Sequence, residues 1–175
     1  MSNVKQEISS HNKAVTRRSQ PVENVRECDC SVKKDCPLGG KCLTENVIYQ
    51  AKVTRSDNKK EETYFGLTST EFKVRYRNHM SSFEVKDKKE KPSQKSPTTL
   101  CHYVRKLKKE NIEFKIQWKI VDRGKPYCPE AKKCNLCIKE KYFIICRPDM
   151  ATLNSRKELY GECRHRKKPL LCRVT

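Results

Sequence analysis

Apolar and polar residues alternate strictly along segment 112–121. Its apolar positions are Ile112, Phe114, Ile116, Trp118 and Ile120. A period of two places all these side chains on one face of an extended chain, so the segment is predicted to be a β-strand. Segments 46–55 and 63–68 also have strand-like composition, and the polar residues 56–62 separate them. They are predicted to form a β-hairpin with a loop longer than the two-residue ideal.

Three other segments show helical spacing. The first follows the hairpin, and the hydroxyls of residues 68–70 are predicted to cap it before Glu71. Residues 98–111 form a second amphipathic helix, and residues 131–146 form a third whose broad apolar face predicts that it is largely buried. A short helix is predicted at 155–160. The apolar residues of the first helix recur at intervals of four, four and three: Phe72, Tyr76, Met80 and Phe83.

This order of elements predicts a small α/β domain of the α+β type, with a mainly antiparallel sheet flanked by helices. The 175 residues suit one such domain with tails. Residues 1–26 are polar and basic and are predicted to be a disordered arm. Residues 27–43 form a cysteine-rich segment with Pro and Gly. Residues 44–175 form the folded domain and its basic C-terminal tail.

The charge of the chain predicts a polyanionic partner. Lys and Arg number 40 against 21 acids, a net charge of +19. Cationic side chains that neutralise phosphates release counterions, which favours nucleic acid as the partner. The alternative is that the charge serves solubility or a ribosome-like structural role. A membrane partner is not expected, because no apolar run approaches the roughly 18 residues of a spanning helix.

The cysteines predict at least one metal site. The N-terminus lacks the apolar stretch of a signal peptide, so a reducing compartment is expected, where thiols bind zinc or pack as small hydrophobes. Four of the 11 cysteines follow the pattern C-x-C-x5-C-x5-C, which suits one tetrahedral Zn²⁺, the alternative being a linker without metal. These four are Cys28, Cys30, Cys36 and Cys42. A second set is equally compatible with a metal site and with core thiols: Cys128, Cys134, Cys137, Cys146, Cys163 and His165.

Two features are candidates for chemistry on a phosphodiester. Arg75 and His79 are four residues apart in the first helix, so they share a face, at the edge of its apolar stripe. Alone, such a pair is usually an ordinary surface feature. Glu140 lies between Leu136 and Ile144 on an apolar helix, where a carboxylate is costly unless it is paired or holds a metal. Spacing alone favours a metal ligand and an ion pair equally.

The sequence VIY ends at Tyr49 and YFG begins at Tyr64, and Asn154 follows Glu140 by 14 residues. This order of tyrosines, arginine, histidine, glutamate and asparagine along the chain resembles that of the GIY-YIG nucleases. Val47 stands where the family's first motif has glycine, and Phe65 where its second has isoleucine. The positions that match the family's functional residues are Tyr49, Tyr64, Arg75, His79, Glu140 and Asn154.

The resemblance implies a role for each matched residue. Glu140 holds one Mg²⁺ or Mn²⁺, Tyr49 acts as or positions the base, and Arg75 stabilises the charge of the phosphate. Tyr64 and His79 orient water and phosphate, and Asn154 supports the site. The tyrosines, Arg75 and Glu140 are therefore expected to converge on one concave surface.

A narrower resemblance covers residues 28–170 and rests on the runs CPLGGKCLTENVIYQAKV, TYFGLTSTEFKVRYRNHMSSF, CNLCIKEKYFIICRPDMATLNSRKEL and CRHRKK. These runs resemble the C-terminal endonuclease module of Penelope-like retroelements. This resemblance implies a nucleus-located enzyme that nicks target DNA to prime reverse transcription, with cytoplasm as the alternative location. A reverse transcriptase domain or RNA of the same element is then a further partner. The alternative function is a catalytically inactive, basic, zinc-containing DNA- or RNA-binding protein derived from such an element.

Overall fold

The computed structural model describes residues 26–84, 97–125, 134–147 and 149–154. These four ranges include every residue of the predicted hairpin and of the predicted third strand. The predicted arm, apart from Arg26, lies outside them. The helix predicted at 155–160 and the basic tail also lie outside them.

A three-stranded antiparallel sheet forms the centre of the fold, with strand order β2-β1-β3. The hairpin strands are β1 (Val47–Arg55) and β2 (Glu61–Thr68), which confirms the predicted hairpin. β3 (Phe114–Arg123) confirms the predicted third strand, although it begins and ends two residues later. The pairing of β1 with β3 shifts between Ile48 and Tyr49, so an irregularity lies directly beside this tyrosine.

Three helices in the described ranges cover the two faces of the sheet. They are α1 (Phe72–Phe83), α2 (Thr99–Lys109) and α3 (Asn135–Cys146), and a short 3₁₀ turn (Lys33–Asp35) precedes them. The small α+β fold is therefore confirmed, with a sheet flanked by helices as the alternation of apolar residues predicted. No helix in this part of the chain is both long and apolar enough to cross a membrane.

Each face of the sheet has its own apolar core. On the first face, side chains of β1 pack with Tyr64 and with residues of α1 and α2. On the second face, Ile48, Phe65 and Leu67 pack with Leu136 and Ile144 of α3. Because neighbouring side chains of a strand point to opposite faces, the central strand β1 contributes to both cores. Its residues on the first face are Val47, Tyr49, Ala51 and Val53.

The ends of α1 and α2 are made differently. The Thr98 side chain accepts a hydrogen bond from the Cys101 amide at 3.3 Å, which caps α2. The prediction that hydroxyls of residues 68–70 cap α1 is wrong. Glu71 is the N-cap of α1 and makes no side-chain cap bond. The Thr68 hydroxyl instead donates a hydrogen bond to the Thr70 carbonyl at 3.0 Å, so it bonds within the turn that precedes the helix.

Two predicted burial patterns need correction. In α1, Met80 is 44% exposed, and His79 is buried in its place with 2% exposure. His79 therefore lies inside the core rather than at its edge. In α3, Ile138 and Tyr142 are 55% and 51% exposed, so the prediction that this helix is largely buried is wrong. Among the described elements, α3 packs mainly on β2 and β1. One side of the helix meets the sheet, and the other side is exposed.

Candidate active site and metal centre

The candidate active site is centred on the Tyr49 hydroxyl, which two other side chains contact. The Arg75 Nε donates a hydrogen bond to it at 2.9 Å. The His79 Nε2 lies 2.7 Å from the same oxygen. Arg75 and His79 are one helical turn apart on α1, so both side chains reach the same atom on β1. Since the guanidinium can only donate, the phenol can donate its proton to a neutral His79.

Gly66 makes room for this phenol. It pairs with Tyr49 in the hairpin register. A Cβ added at Gly66 would lie 2.4 Å from the Tyr49 hydroxyl oxygen and 2.6 Å from the ring carbon that carries it. Real Cβ atoms do not approach other atoms so closely. The glycine of the YFG sequence is therefore required by the position of the tyrosine of the VIY sequence.

Aromatic rings surround the imidazole of His79. The Tyr64 ring centroid lies 6.0 Å from that of His79, and the Tyr49 centroid lies at 5.8 Å. The Trp118 centroid, from β3, lies 5.4 Å from His79 and 6.0 Å from Tyr49. Phe83 is a further neighbour at 5.9 Å. The predicted residues Tyr49, Tyr64 and His79 are thus buried together, and Arg75 is the half-buried member of the group.

Glu140 is carried by α3. It is 3% exposed and lies on the buried side of α3 with Leu136 and Ile144, which pack on the second face of the sheet. Among the described residues it is the one buried carboxylate. The structure brings Tyr49, Tyr64, Arg75 and His79 together, and Glu140 is carried by α3, the helix whose apolar side packs on the second face. α3 packs chiefly on β2, the edge strand.

Asn154 acts on the backbone of β2. Its Oδ1 accepts a hydrogen bond from the Phe65 amide at 2.8 Å, and its Nδ2 donates to the Phe65 carbonyl at 2.9 Å. This two-point contact fixes the strand between Tyr64 and Gly66. The carboxamide is used in holding β2, which is a supporting role.

The two departures from the GIY-YIG motifs occupy core positions. Val47 is fully buried on the first face. Phe65 is fully buried on the second face and stacks on Phe143 of α3, with ring centroids 5.3 Å apart and planes inclined by 14°. The larger side chain at position 65 thereby contacts the helix that carries Glu140.

Four thiols form a candidate metal centre at the N-terminal end of the described chain. The Sγ atoms of Cys28, Cys30, Cys36 and Cys42 all lie within 4.8 Å of one another. The Sγ of Cys42 is 3.5 Å from that of Cys28 and 3.7 Å from that of Cys30. A tetrahedral zinc with Zn–S bonds of about 2.3 Å separates its sulfurs by about 3.8 Å. The predicted cluster can therefore hold one such ion.

The thiols of this cluster differ in acidity. Burial favours the neutral form of Cys36, but hydrogen bonds from the backbone at Gly40 and Leu38 lower its pKa to about 7. Burial and the neighbouring thiols of Cys28 and Cys30 raise the pKa of Cys42 to about 12. Thiolates this close repel one another, and a bound dication would stabilise all four in the deprotonated form. The chemistry of the donor set fits zinc.

The second set of cysteines is described only in part. Cys134 and Cys137 are buried in the second core, and Cys146 is exposed. Cys128, Cys163 and His165 lie outside the described residues. Whether this set binds a metal therefore stays an open prediction.

Two open cavities among the described residues lie on either side of Trp118. One, of about 400 Å³, has an apolar floor and a basic rim formed by Lys41, Lys119 and Arg123. The other, of about 330 Å³, is lined by apolar side chains of α1 and β3, with Lys108 and Glu84 at its margin. Both cavities adjoin the tryptophan that contacts Tyr49 and His79, so they are next to the candidate active site.

Three contributors to the site were not predicted from the sequence. The alternating pattern predicts that Trp118 lies on a strand, but it does not predict that Trp118 contacts Tyr49. The spatial role of Gly66 depends on the register of the hairpin, which the YFG motif alone does not give. The contact between Lys73 and Asp29 joins α1 to the cysteine cluster, and its 44-residue separation gives no local signal.

The chain matches no protein-family model, and no curated protein or solved structure matches it.

Gly66→Ala is expected to destabilise the protein by about 1–3 kcal/mol, the usual range for overpacking a core. The new methyl group has to displace the Tyr49 ring, whose hydroxyl would lie 2.4 Å away. Urea denaturation measures the free energy of unfolding. Glu61→Ala on the same strand loses only an exposed ion pair with Lys52 and should change it by less than about 1 kcal/mol. Equal stability of both variants would show that Tyr49 does not depend on Gly66.

Freshly purified, reduced protein is expected to contain at least one zinc per chain. Cys36→Ser should lose the ion bound at the cluster, because a site with three of four thiolates binds far more weakly. Elemental analysis after gel filtration measures the content. Cys101→Ser, at a buried cysteine of α2 outside both cysteine sets, is the matched control and should retain it. Wild-type protein without zinc would refute the assignment.

Proposed function

We propose that this protein is a metal-dependent DNA endonuclease of the GIY-YIG type. The observation that carries the proposal is the Tyr49 hydroxyl held between Arg75 Nε at 2.9 Å and His79 Nε2 at 2.7 Å. Such a phenol can pass a proton to an imidazole while a fixed cation stabilises negative charge on its oxygen. The order of motifs, which resembles that of GIY-YIG nucleases, supports the same function.

The proposed reaction is hydrolysis of one phosphodiester bond. Water attacks phosphorus and loses a proton to the Tyr49 oxygen, whose own proton passes to His79 Nε2. The bond from phosphorus to the 3′ oxygen breaks, and that oxygen takes up a proton from solvent water, while His79 releases its proton to solvent. The products are a 3′-hydroxyl and a 5′-phosphate. Arg75 stabilises the charge that develops during the attack, and Tyr64 helps to orient the water.

Glu140 is the residue proposed to hold the catalytic cation. A carboxylate is a hard oxygen ligand of the kind Mg²⁺ and Mn²⁺ prefer, and Mg²⁺ commonly uses one or two carboxylates together with the phosphates of its substrate. A cation held by Glu140 would neutralise part of the negative charge that develops during the reaction. A buried carboxylate in an apolar helix fits this donor set.

The position of α3 constrains where a phosphate can bind. Glu140 and the tyrosine group lie on helices and strands that flank β2, the edge strand. We propose that the phosphate binds beside β2, which adjoins both groups. The segment around Asn154 covers that edge at Thr63 and Phe65, and the next residue, Gly66, has no side chain.

DNA is the proposed substrate because of the charge of the chain and the basic cavity beside Trp118. A phosphate strand would meet Lys41, Lys119 and Arg123 at the rim of the cavity. A base could then stack on Trp118, since every base offers an aromatic face. As a retroelement-type enzyme, the protein would nick its target in the nucleus to prime reverse transcription, with a reverse transcriptase or RNA of the same element as partner.

The second candidate function is a basic zinc-containing DNA- or RNA-binding protein without catalysis. The observations that favour it are the four-thiol cluster and the basic residues around the cavity beside Trp118, neither of which needs a catalytic residue. The cysteine cluster and the basic cavity would still serve binding.

Arg75→Ala and Glu140→Gln are each expected to lower Mg²⁺-dependent nicking of supercoiled plasmid by about 10²–10³-fold or more, as loss of one fixed charge contact does in comparable sites. Tyr49→Phe should have a similar effect, because it removes the atom that relays the proton. The relaxed form of the plasmid is measured on a gel against time. The nick should be extendable by a polymerase, which requires a 3′-hydroxyl.

Matched controls separate chemistry from folding and from binding. Arg77 is exposed on α1, two residues from Arg75, so the Arg77→Ala variant should nick at the wild-type rate. Glu113→Gln is an exposed counterpart for Glu140→Gln. Circular dichroism should show that each variant is folded. Full activity of folded Glu140→Gln, or nicks that cannot be extended, would favour the non-catalytic alternative.

DNA binding is expected to quench the fluorescence of Trp118, the single tryptophan of the chain, because bases stack close to it. The affinity should fall steeply with salt concentration. Reversing the charge of two rim residues, Lys41→Glu with Arg123→Glu, should weaken binding and reduce the salt slope by about two. Lys59→Glu in the exposed hairpin loop is the control. Binding without any change of Trp118 fluorescence would place the DNA elsewhere.

A further inference from the structure

Helix α1 carries Arg75 and His79 but does not cap its own N-terminus. The first amides of a helix have no partner within it and need acceptors from elsewhere. The side chain of the N-cap residue, Glu71, accepts none of them. The acceptors come from the segment that directly follows the cysteine cluster. The Phe72 amide donates to the Thr44 carbonyl at 3.0 Å, and the Lys73 amide donates to the Cys42 carbonyl at 2.7 Å.

A side-chain contact reinforces this backbone contact. The Lys73 ammonium forms an ion pair with the carboxylate of Asp29, which lies between the first two cysteines of the cluster. The ion pair lowers the pKa of Asp29 and raises that of Lys73. The first turn of α1 is therefore bound to both ends of the cysteine segment, at Asp29 and at Cys42.

Cys42 belongs to both structures at once. Its Sγ is buried among the thiols of the cluster, 3.5 Å from that of Cys28, and its carbonyl accepts the hydrogen bond from α1. A residue whose sulfur is fixed by a metal cannot move its carbonyl far, because only three bonds separate Sγ from the carbonyl carbon. Metal binding at the cluster thus fixes the acceptor on which α1 begins.

We infer that the metal centre is a positioning device for the candidate active site. Occupancy of the cysteine cluster holds the N-terminus of α1, and with it sets Arg75 and His79 against the Tyr49 hydroxyl. Cys42 and Asp29 are positioning residues, because they act on the site through α1. The inference concerns the geometry of α1, so it stands or falls separately from the proposed nuclease activity.

Hydrogen exchange in the ¹⁵N-labelled full-length chain tests the inference without any assay of activity. The amides of Phe72 and Lys73 should exchange slowly with zinc bound. After removal of zinc by a chelator, they should exchange about 3- to 30-fold faster, the effect expected for loss of an N-cap. The imidazole signals of His79 should shift at the same time. Adding zinc chloride should reverse both changes.

The Cys101 amide is the internal control. It lies in the first turn of α2 and is bonded to the Thr98 side chain, so it should be insensitive to zinc. Faster exchange at Phe72 and Lys73 alone supports the inference. No change at these two amides and at His79 after zinc has left overturns it.

A variant decides the remaining case, in which removal of zinc accelerates exchange at all three amides by unfolding the domain. Asp29→Lys leaves the four thiols in place but loses the ion pair and adds a like charge opposite Lys73. It should keep its zinc, speed exchange of the Lys73 amide up to about tenfold, and shift His79. Asp35→Lys, an exposed acid in the same segment, is the matched control. Equal behaviour of the two variants overturns the inference.

Discussion

The hydroxyl of Tyr49 lies in the middle of a folded domain, and a buried hydroxyl without partners is costly. The structure meets this requirement with two side chains of one helix, Arg75 and His79. A guanidinium and an imidazole are expensive to bury for apolar packing alone, and here each is hydrogen-bonded to the phenol. The absence of a side chain at Gly66 completes the arrangement, because the phenol occupies that space.

This arrangement demands that α1 be placed accurately, and the helix is held at both ends. Its N-terminal amides are bonded to Cys42 and Thr44. Near its C-terminus, the Ser82 carbonyl accepts hydrogen bonds from the Cys101 thiol and from Arg105 Nε, both at 2.9 Å. One contact comes from the cysteine segment and the other from α2. A helix fixed in this way can hold two polar side chains on one buried oxygen.

The elements of the fold were predictable from local patterns, because the spacing of apolar residues in a strand or a helix repeats with one fixed period. The alternation around Trp118 indicated the third strand, and the spacing of cysteines indicated that four thiols would meet. The Thr68–Thr70 cap failed because hydroxyls close in sequence can bond to one another as well as to a helix. The exposed Ile138 and Tyr142 show that apolar composition does not determine how many neighbours a helix has.

The candidate site was predictable as a set of residues but not as a geometry. Tyr49, Tyr64, Arg75 and His79 meet because the hairpin register and one helical turn bring them together. The helical turn follows from the spacing of Arg75 and His79, whereas the register does not follow from the motifs. The face on which α3 packs depends on a long connection after β3, which no periodicity describes. The position of Glu140 relative to these four residues could not be derived for that reason.

Asn154 has a consequence for how the protein behaves among other copies of itself. An edge strand has unpaired amides and carbonyls that can form hydrogen bonds with an extended segment of another chain, and this pairing is a common route to aggregation. On β2, the Thr63 amide is bonded to the Thr152 hydroxyl, the Thr63 carbonyl to the Leu153 amide, and both backbone groups of Phe65 to the Asn154 carboxamide. The Asn154 side chain, which holds β2 between Tyr64 and Gly66, therefore also covers backbone groups through which chains could aggregate. One residue thus contributes both to solubility and to the order of the site.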